Sequence, residues 1–164
     1  MGETQESPDA LFDEAQAAEE TGDVGTAERL YRRVMKLDPG DPVAAFNLGN
    51  LLRAAGRKAE AESAYRAAAK ADPRFAEAWY NLADLLDDAG RAGEAIGCLE
   101  RALAAEPSHS DSVFNLALLL QRAERLRDAS NYWRRYLALD DTSEWAARAR
   151  RSLKYCEMRL AHSS

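Results

Sequence analysis

Residues 46–52 read Phe46-Asn47-Leu48-Gly49-Asn50-Leu51-Leu52. The phrase returns as Tyr80-Asn81-Leu82-Ala83-Asp84-Leu85-Leu86 and again as Phe114-Asn115-Leu116-Ala117-Leu118-Leu119-Leu120, each copy 34 residues after the last. A fixed period of this length marks a stacked-repeat architecture, in which each unit buries its apolar face against its neighbours. The breaks keep the same period. Gly22, Gly56 and Gly90 are 34 apart, and so are Pro39, Pro73 and Pro107. Glycine supplies the left-handed residue that ends a helix, and proline cannot continue one. Between the breaks Ala, Leu, Glu and Arg dominate, all good helix formers. The spacing predicts helix, short turn, helix, proline turn, repeated. Asp41-Pro42 opens one of these helices with a capping carboxylate and a proline suited to the first turn.

These offsets resemble the tetratricopeptide repeat family. The second repeat carries Leu48, Gly49, Leu52, Gly56, Ala61, Tyr65, Ala68 and Pro73, and the third Trp79, Leu82, Ala83, Leu86, Gly90, Ala95, Leu99, Ala102 and Pro107. The first keeps Ala15, Gly22, Ala27, Tyr31 and Pro39, with Glu14 where the others have Leu. The fourth keeps Leu116, Ala117, Leu120 and Ala129, with Trp133 in the aromatic slot. The resemblance implies an all-α solenoid of four tandem helix-turn-helix repeats with a right-handed curve. The repeats read as 8–41, 42–75, 76–109 and 110–141 within one domain over 8–161, after a disordered stub at 1–7 and before a tail at 162–164.

The fourth repeat departs from the pattern. Glu124 replaces the turn glycine, Asp141 the proline, and Tyr136 stands where Ala68 and Ala102 stood. Loss of the small residue predicts that the stack ends here. Residues 143–160 then form a capping helix, with Thr142 as its cap. Its apolar stripe reads Trp145, Ala149, Leu153, Cys156 and Leu160, a helical spacing, with a solvated face opposite, as solenoid ends require. At the other end no amphipathic helix precedes Pro8. The polar, acidic outer face of the first helix is either sufficient for solubility or the join to an upstream domain.

The net charge of −6 disfavours non-specific binding to nucleic acid or anionic membranes. Its distribution is polar. Residues 1–28 hold nine carboxylates (Glu3, Glu6, Asp9, Asp13, Glu14, Glu19, Glu20, Asp23, Glu28) and no Lys or Arg, whereas residues 143–164 hold Arg148, Arg150, Arg151, Lys154 and Arg159 against Glu144 and Glu157. The basic helix lacks the aromatic-rich basic face of a nucleic-acid binder, and basic residues there also suit the end of a helix. Cys98 and Cys156 are far apart and without metal-ligand spacing, which reads as two reduced thiols in a cytoplasmic protein. The Ala- and Arg-rich composition points to a bacterial source.

By the resemblance, the first helix of each pair lines a concave groove that takes a peptide or a partner helix. Phe12, Phe46, Tyr80 and Phe114 would form one row, with Asp13, Asn47, Asn81 and Asn115 beside it. Gln16, Asn50, Asp84 and Leu118 follow one turn on, then Glu19, Arg53, Asp87 and Gln121. Aromatics offer apolar anchors at low entropy cost, and an Asn amide offers a donor and an acceptor to an extended backbone. The same Asn residues would serve equally well to satisfy neighbouring helices. Asp84, Asp87 and Asp111 would favour a basic ligand, in contrast to family members that clamp a carboxylate with Lys and Arg. The groove residues are thus Phe46, Asn47, Asn50, Arg53, Tyr80, Asn81, Asp84, Asp87, Phe114, Asn115 and Leu118.

Nothing in the pattern reads as catalysis. His109 falls in an inter-helix turn and His162 in the tail, neither near a nucleophile at recognisable spacing, and the glycines sit at helix turns rather than in a phosphate loop. The expectation is a non-catalytic protein-interaction scaffold with no cofactor and no metal. Two alternatives stay open. One is self-assembly, in which the acidic end of one molecule meets the basic end of another. The other is a repeat module of a larger bacterial regulator or glycosyltransferase.

Overall fold

In a computed structural model, which describes residues 6–163, nine helices and no strand are found among the described residues. They are α1 (Pro8–Glu20), α2 (Val24–Leu37), α3 (Pro42–Ala54), α4 (Lys58–Ala71), α5 (Ala76–Asp88), α6 (Ala92–Ala105), α7 (Ser110–Arg122), α8 (Leu126–Leu139) and α9 (Glu144–His162). The chain divides into two compact units, residues 1–78 and 79–164.

The turns inside the pairs share one mechanism. Gly22, Gly56 and Gly90 have φ of 79°, 76° and 77°. The amide after each bonds back to a carbonyl of the helix just ended: Asp23 to Ala18 at 2.8 Å, Arg57 to Leu52 at 2.9 Å and Arg91 to Leu86 at 2.9 Å. This bond pattern satisfies the last open carbonyls of a helix. Glu124 makes the same turn at φ 59°, and the Arg125 amide reaches Leu120 at 2.9 Å. Four helix pairs therefore end their first helix alike, one of them on a residue that bears a Cβ in the left-handed region.

In the first unit α1 packs on α2, α2 on α3 and α3 on α4. Ser7, part of the expected stub, is the N-cap of α1, and Glu6 pairs with Arg33 at 2.8 Å; the rest of that stub, residues 1–5, lies outside the described residues. Asp41 caps α3 as its sequence predicts, accepting from the Val43 amide at 2.9 Å. The core of each pair is an aromatic from the second helix. Tyr31 and Tyr65 are fully buried. Tyr65 packs against Gly49, where an added Cβ would meet its ring at 2.6 Å. Glycine is required there by close approach rather than by backbone angle. Arg57 ties two repeats together, forking to Glu28 (2.6 and 2.9 Å) and to Glu60 (2.6 and 2.9 Å).

In the second unit Arg101 of α6 lies over the Trp79 ring of α5 at 5.1 Å. Then α6 packs on α7, α7 on α8 and α8 on α9. Leu99 and Trp133 fill the slot that Tyr31 and Tyr65 fill in the first unit, and both are buried. Trp133 donates its indole N–H to Gln121 Oε1 at 2.9 Å, which removes the cost of burying that polar atom. His109 is the N-cap of α7 rather than a loose turn residue. Its Nδ1 accepts from the Ser112 amide at 3.2 Å.

The capping helix departs from expectation at two places. Ser143, not Thr142, is its N-cap, with Ser143 Oγ accepting from the Ala146 amide at 3.1 Å. Thr142 instead gives its amide to Asp140 at 3.2 Å, because Asp140 closes the turn and sets the backbone one residue later. The buried stripe contains Ala146, Ala149 and Cys156, while Trp145 is 56% exposed. The register explains this. α9 sits one period on from α7: Arg148 lies over Phe114 at 5.7 Å, and Arg159 bonds Glu124 across 35 residues at 3.1 Å. Ala146 therefore takes the place of buried Ser112. On the opposite side, where Ala117 and Leu120 are buried in α7, α9 presents exposed Arg151 and Lys154. Those side chains prevent another helix from docking in the same way. The helix also runs further than expected, so His162 stands in its last turn, with Nδ1 2.7 Å from the Met158 carbonyl.

Candidate interaction groove

In the second unit α5, α7 and α9 share one surface. Two pockets meet at Asn115. One, of about 140 Å³, is lined by Asp84, Asp87, Asn115 and Leu118 over Ala83, Leu99 and Leu119. The other, of about 190 Å³, is lined by Tyr80, Asp111, Phe114, Asn115, Tyr136 and Trp145. The helical repeat of α5 and α7 places these residues together, because positions three and four apart share a face. The Asn115 side chain donates to the Tyr80 phenol at 3.4 Å, fixing the wall between the pockets. Asp87 accepts both forks of Arg122, at 3.0 and 3.1 Å. Its charge is thereby shared with a cation of the same surface. Asn81 and Asp84 are half-buried on α5.

Phe114 is 6% exposed. Trp133, Tyr136 and Trp145 surround it with ring centroids at 4.9, 5.1 and 5.3 Å, all edge-on. It is the hub of an aromatic cluster, and Trp145 is the ring that meets solvent. Tyr136 donates its phenol to Asp140 at 3.0 Å. Burial, and then that carboxylate, pushes its pKa up. Sequence reading missed Tyr136 and Trp145 as groove residues. The signal was present: Trp145 is one period after Asp111, and Arg148 one period after Phe114.

In the first unit the predicted residues stand differently. Phe46 is half-buried, its ring 4.9 Å from Phe75 and 6.1 Å from Tyr65. Asn47 donates to the Tyr31 phenol at 3.5 Å, and that phenol donates to Glu19 at 2.7 Å. Burial and the Glu19 charge hold Tyr31 well above the ordinary tyrosine pKa. Asn50 accepts from the Tyr65 phenol at 2.6 Å. The amides of Asn47 and Asn50 thus complete the hydrogen bonding of buried tyrosines, and Arg53 is half-buried on the same helix. A cavity of about 430 Å³ in this unit lies on the second helices instead, lined by Arg32, Met35, Leu48, Ala59, Glu60, Ser63 and Ala64.

Among the described residues no group of three or more His, Cys, Asp or Glu is placed to hold a metal ion. No helix among them is long and apolar enough to cross a membrane. Cys98 and Cys156 are buried and not joined in a disulfide, and burial raises the Cys156 thiol pKa.

One tetratricopeptide repeat model matches residues 46–110 and 82–144, and a second matches residues 8–51. The chain belongs to the tetratricopeptide repeat family. No curated protein matches it in sequence. Solved structures share its fold. A tetratricopeptide repeat protein from Parabacteroides merdae superposes with a TM-score of 0.81 at 20% identity, covering 95% of this chain and 62% of its own. MamA does so at 0.78 and 22%, covering 91% and 80%. YrrB, described as a TPR protein with an unusual peptide-binding site, does so at 0.79 and 17%, covering 96% and 80%. Repeat proteins of this family are generally non-catalytic modules that bind other proteins, and the fold supports such a scaffold here.

Proposed function

We propose that the chain binds an extended peptide of net positive charge on the α5–α7–α9 face of its second unit. The observation that carries this reading is the pair of pockets meeting at Asn115, one acidic and one aromatic. Asp84 and Asp111 attract and orient basic side chains. Tyr80 and Trp145 supply the apolar contact, with Phe114 behind them. Asn81 and Asn115 form the row that would meet an extended backbone. In the first unit Phe46, Asn47, Asn50 and Arg53 occupy the matching rows of α3. YrrB, which shares the fold, is described as having an unusual peptide-binding site, which supports a peptide as the ligand. Two buried cysteines outside any disulfide suit a reducing bacterial cytoplasm.

The test is to pan a random dodecapeptide display library against the wild-type chain and against an Asp84→Asn/Asp111→Asn variant. Peptides enriched on the wild type carry Lys or Arg in excess and lose most of their enrichment on the variant. Enrichment of neutral or acidic peptides, or none above a helical control protein, overturns the reading.

A second reading rests on the exposed Arg151 and Lys154 of α9 and the exposed Asp13 and Glu20 of α1. These faces are complementary in charge between two copies. Sedimentation velocity at rising concentration separates the readings, since self-assembly needs no peptide. Mass independent of concentration removes it.

A further inference from the structure

The 190 Å³ pocket has a composition that general peptide binding does not require: four aromatic walls and a carboxylate. Tyr136 and Trp145 stand at 75° and 83° to the Phe114 ring, so two rings rise almost upright from the third. Tyr80 lines a further side with its phenol held by Asn115. Asp111 is exposed in the first turn of α7. Its charge acts on the Tyr136 phenol, which places it near the ring wall. The faces of aromatic rings carry negative charge density and attract cations, most of all when water is excluded. The surface already shows this preference. Arg148 sets its guanidinium 5.7 Å from the Phe114 centroid and 5.8 Å from that of Trp145.

We propose that this pocket is a cation cage for the ammonium group of a lysine side chain, with methylated forms favoured. Methylation replaces strongly hydrated N–H donors by alkyl groups that contact the rings while keeping the charge. Asp111 supplies the counter-charge. Arg148 competes for the same ring faces, so the cage takes its ligand more tightly when that charge is removed. The proposal deepens the peptide reading and rests on it only for the source of the lysine.

The test uses choline chloride and its neutral isostere 3,3-dimethylbutan-1-ol, titrated against the intact chain. Trp145 fluorescence, taken as the difference from the Trp145→Phe variant, is the readout. Choline produces a saturable change, and the alcohol binds at least about tenfold more weakly. Asp111→Asn weakens choline by about threefold to tenfold, and Arg148→Gln strengthens it several-fold. Equal response to both ligands, no saturable response, or weaker binding in Arg148→Gln overturns the cage. A panned peptide that keeps its affinity when every lysine becomes glutamine, with no choline response, removes the cage and leaves the peptide reading. A choline response with no peptide enriched removes the peptide reading and leaves the cage.

Discussion

Asn115 gives its side-chain amide to the Tyr80 phenol at 3.4 Å across 35 residues, so a side chain of one repeat is held by a side chain of its neighbour. The bond joins α7 to α5 at the wall shared by both pockets. Tyr80→Phe removes it with little change in packing volume. The expected loss of stability is about 0.5–1.5 kcal/mol, the net value of a typical hydrogen bond. A double-mutant cycle with Asn115→Ala in urea unfolding reads the coupling. Strict additivity would mean the two side chains do not support each other.

Gly49 and Gly97 form a matched pair. A Cβ on Gly49 meets the buried Tyr65 ring at 2.6 Å, whereas one on Gly97 meets nothing within 4 Å. The Tyr65 ring is fully buried and its phenol is held by Asn50, so it cannot swing aside freely. Gly49→Ala should destabilise by about 1–3 kcal/mol through overpacking. Gly97→Ala should stabilise by about 0.5–1 kcal/mol through helix propensity alone. Urea midpoints of both variants decide the matter, and like-signed shifts would contradict the packing account.

Glu124 holds the left-handed turn at φ 59° that glycine holds in the other pairs. Replacing it by glycine relieves roughly 1–2 kcal/mol of backbone cost. Part of this is offset by the greater freedom of glycine in the unfolded chain. The Arg159 partner is lost too, but that pair is exposed and contributes little. Glu124→Gly should therefore raise the melting temperature, and Gly90→Ala should lower it.

Asp140 closes the turn before α9, accepting from the Thr142 and Ser143 amides at 3.2 Å, from the Tyr136 phenol, and from the Ser143 hydroxyl. The Ser143 hydroxyl, with these other donors, lowers its pKa to about 2. Because the folded value is depressed, the stabilisation is complete above the ordinary aspartate value and is lost as pH falls through the folded one. Wild type should be more stable than Asp140→Asn at neutral pH. The difference should shrink between about pH 4 and pH 2. A difference that is constant over that range would contradict the assignment.

The 34-residue phrase made the helices, the three left-handed glycines and the Asp41 cap legible from sequence, because each rests on local chemistry. What escaped depended on contacts between helices. The stripe of α9 was read from Trp145 because spacing alone cannot separate it from Ala146; the packing demands the small residue and turns the indole outward. Thr142 and Ser143 are adjacent hydroxyls, and only the Asp140 turn selects the second. The predicted groove rows lie on α3, α5 and α7, the first helices of their pairs. The pairing of Asp87 with Arg122 spans about one period, and the burial of Phe114 rests on Trp133 and Tyr136 of α8 and Trp145 of α9. The aromatic pocket needed Tyr136 and Trp145, residues that the period itself marks as exceptions.

The most direct test of the groove is nuclear magnetic resonance of the ¹⁵N-labelled chain titrated with the most enriched basic dodecapeptide. The account predicts that shifted amides concentrate on the first helices and the start of α9, at residues 80–87, 111–118 and 144–148. Shifts confined to the exposed faces of α6 and α8, with those residues unmoved, would contradict it.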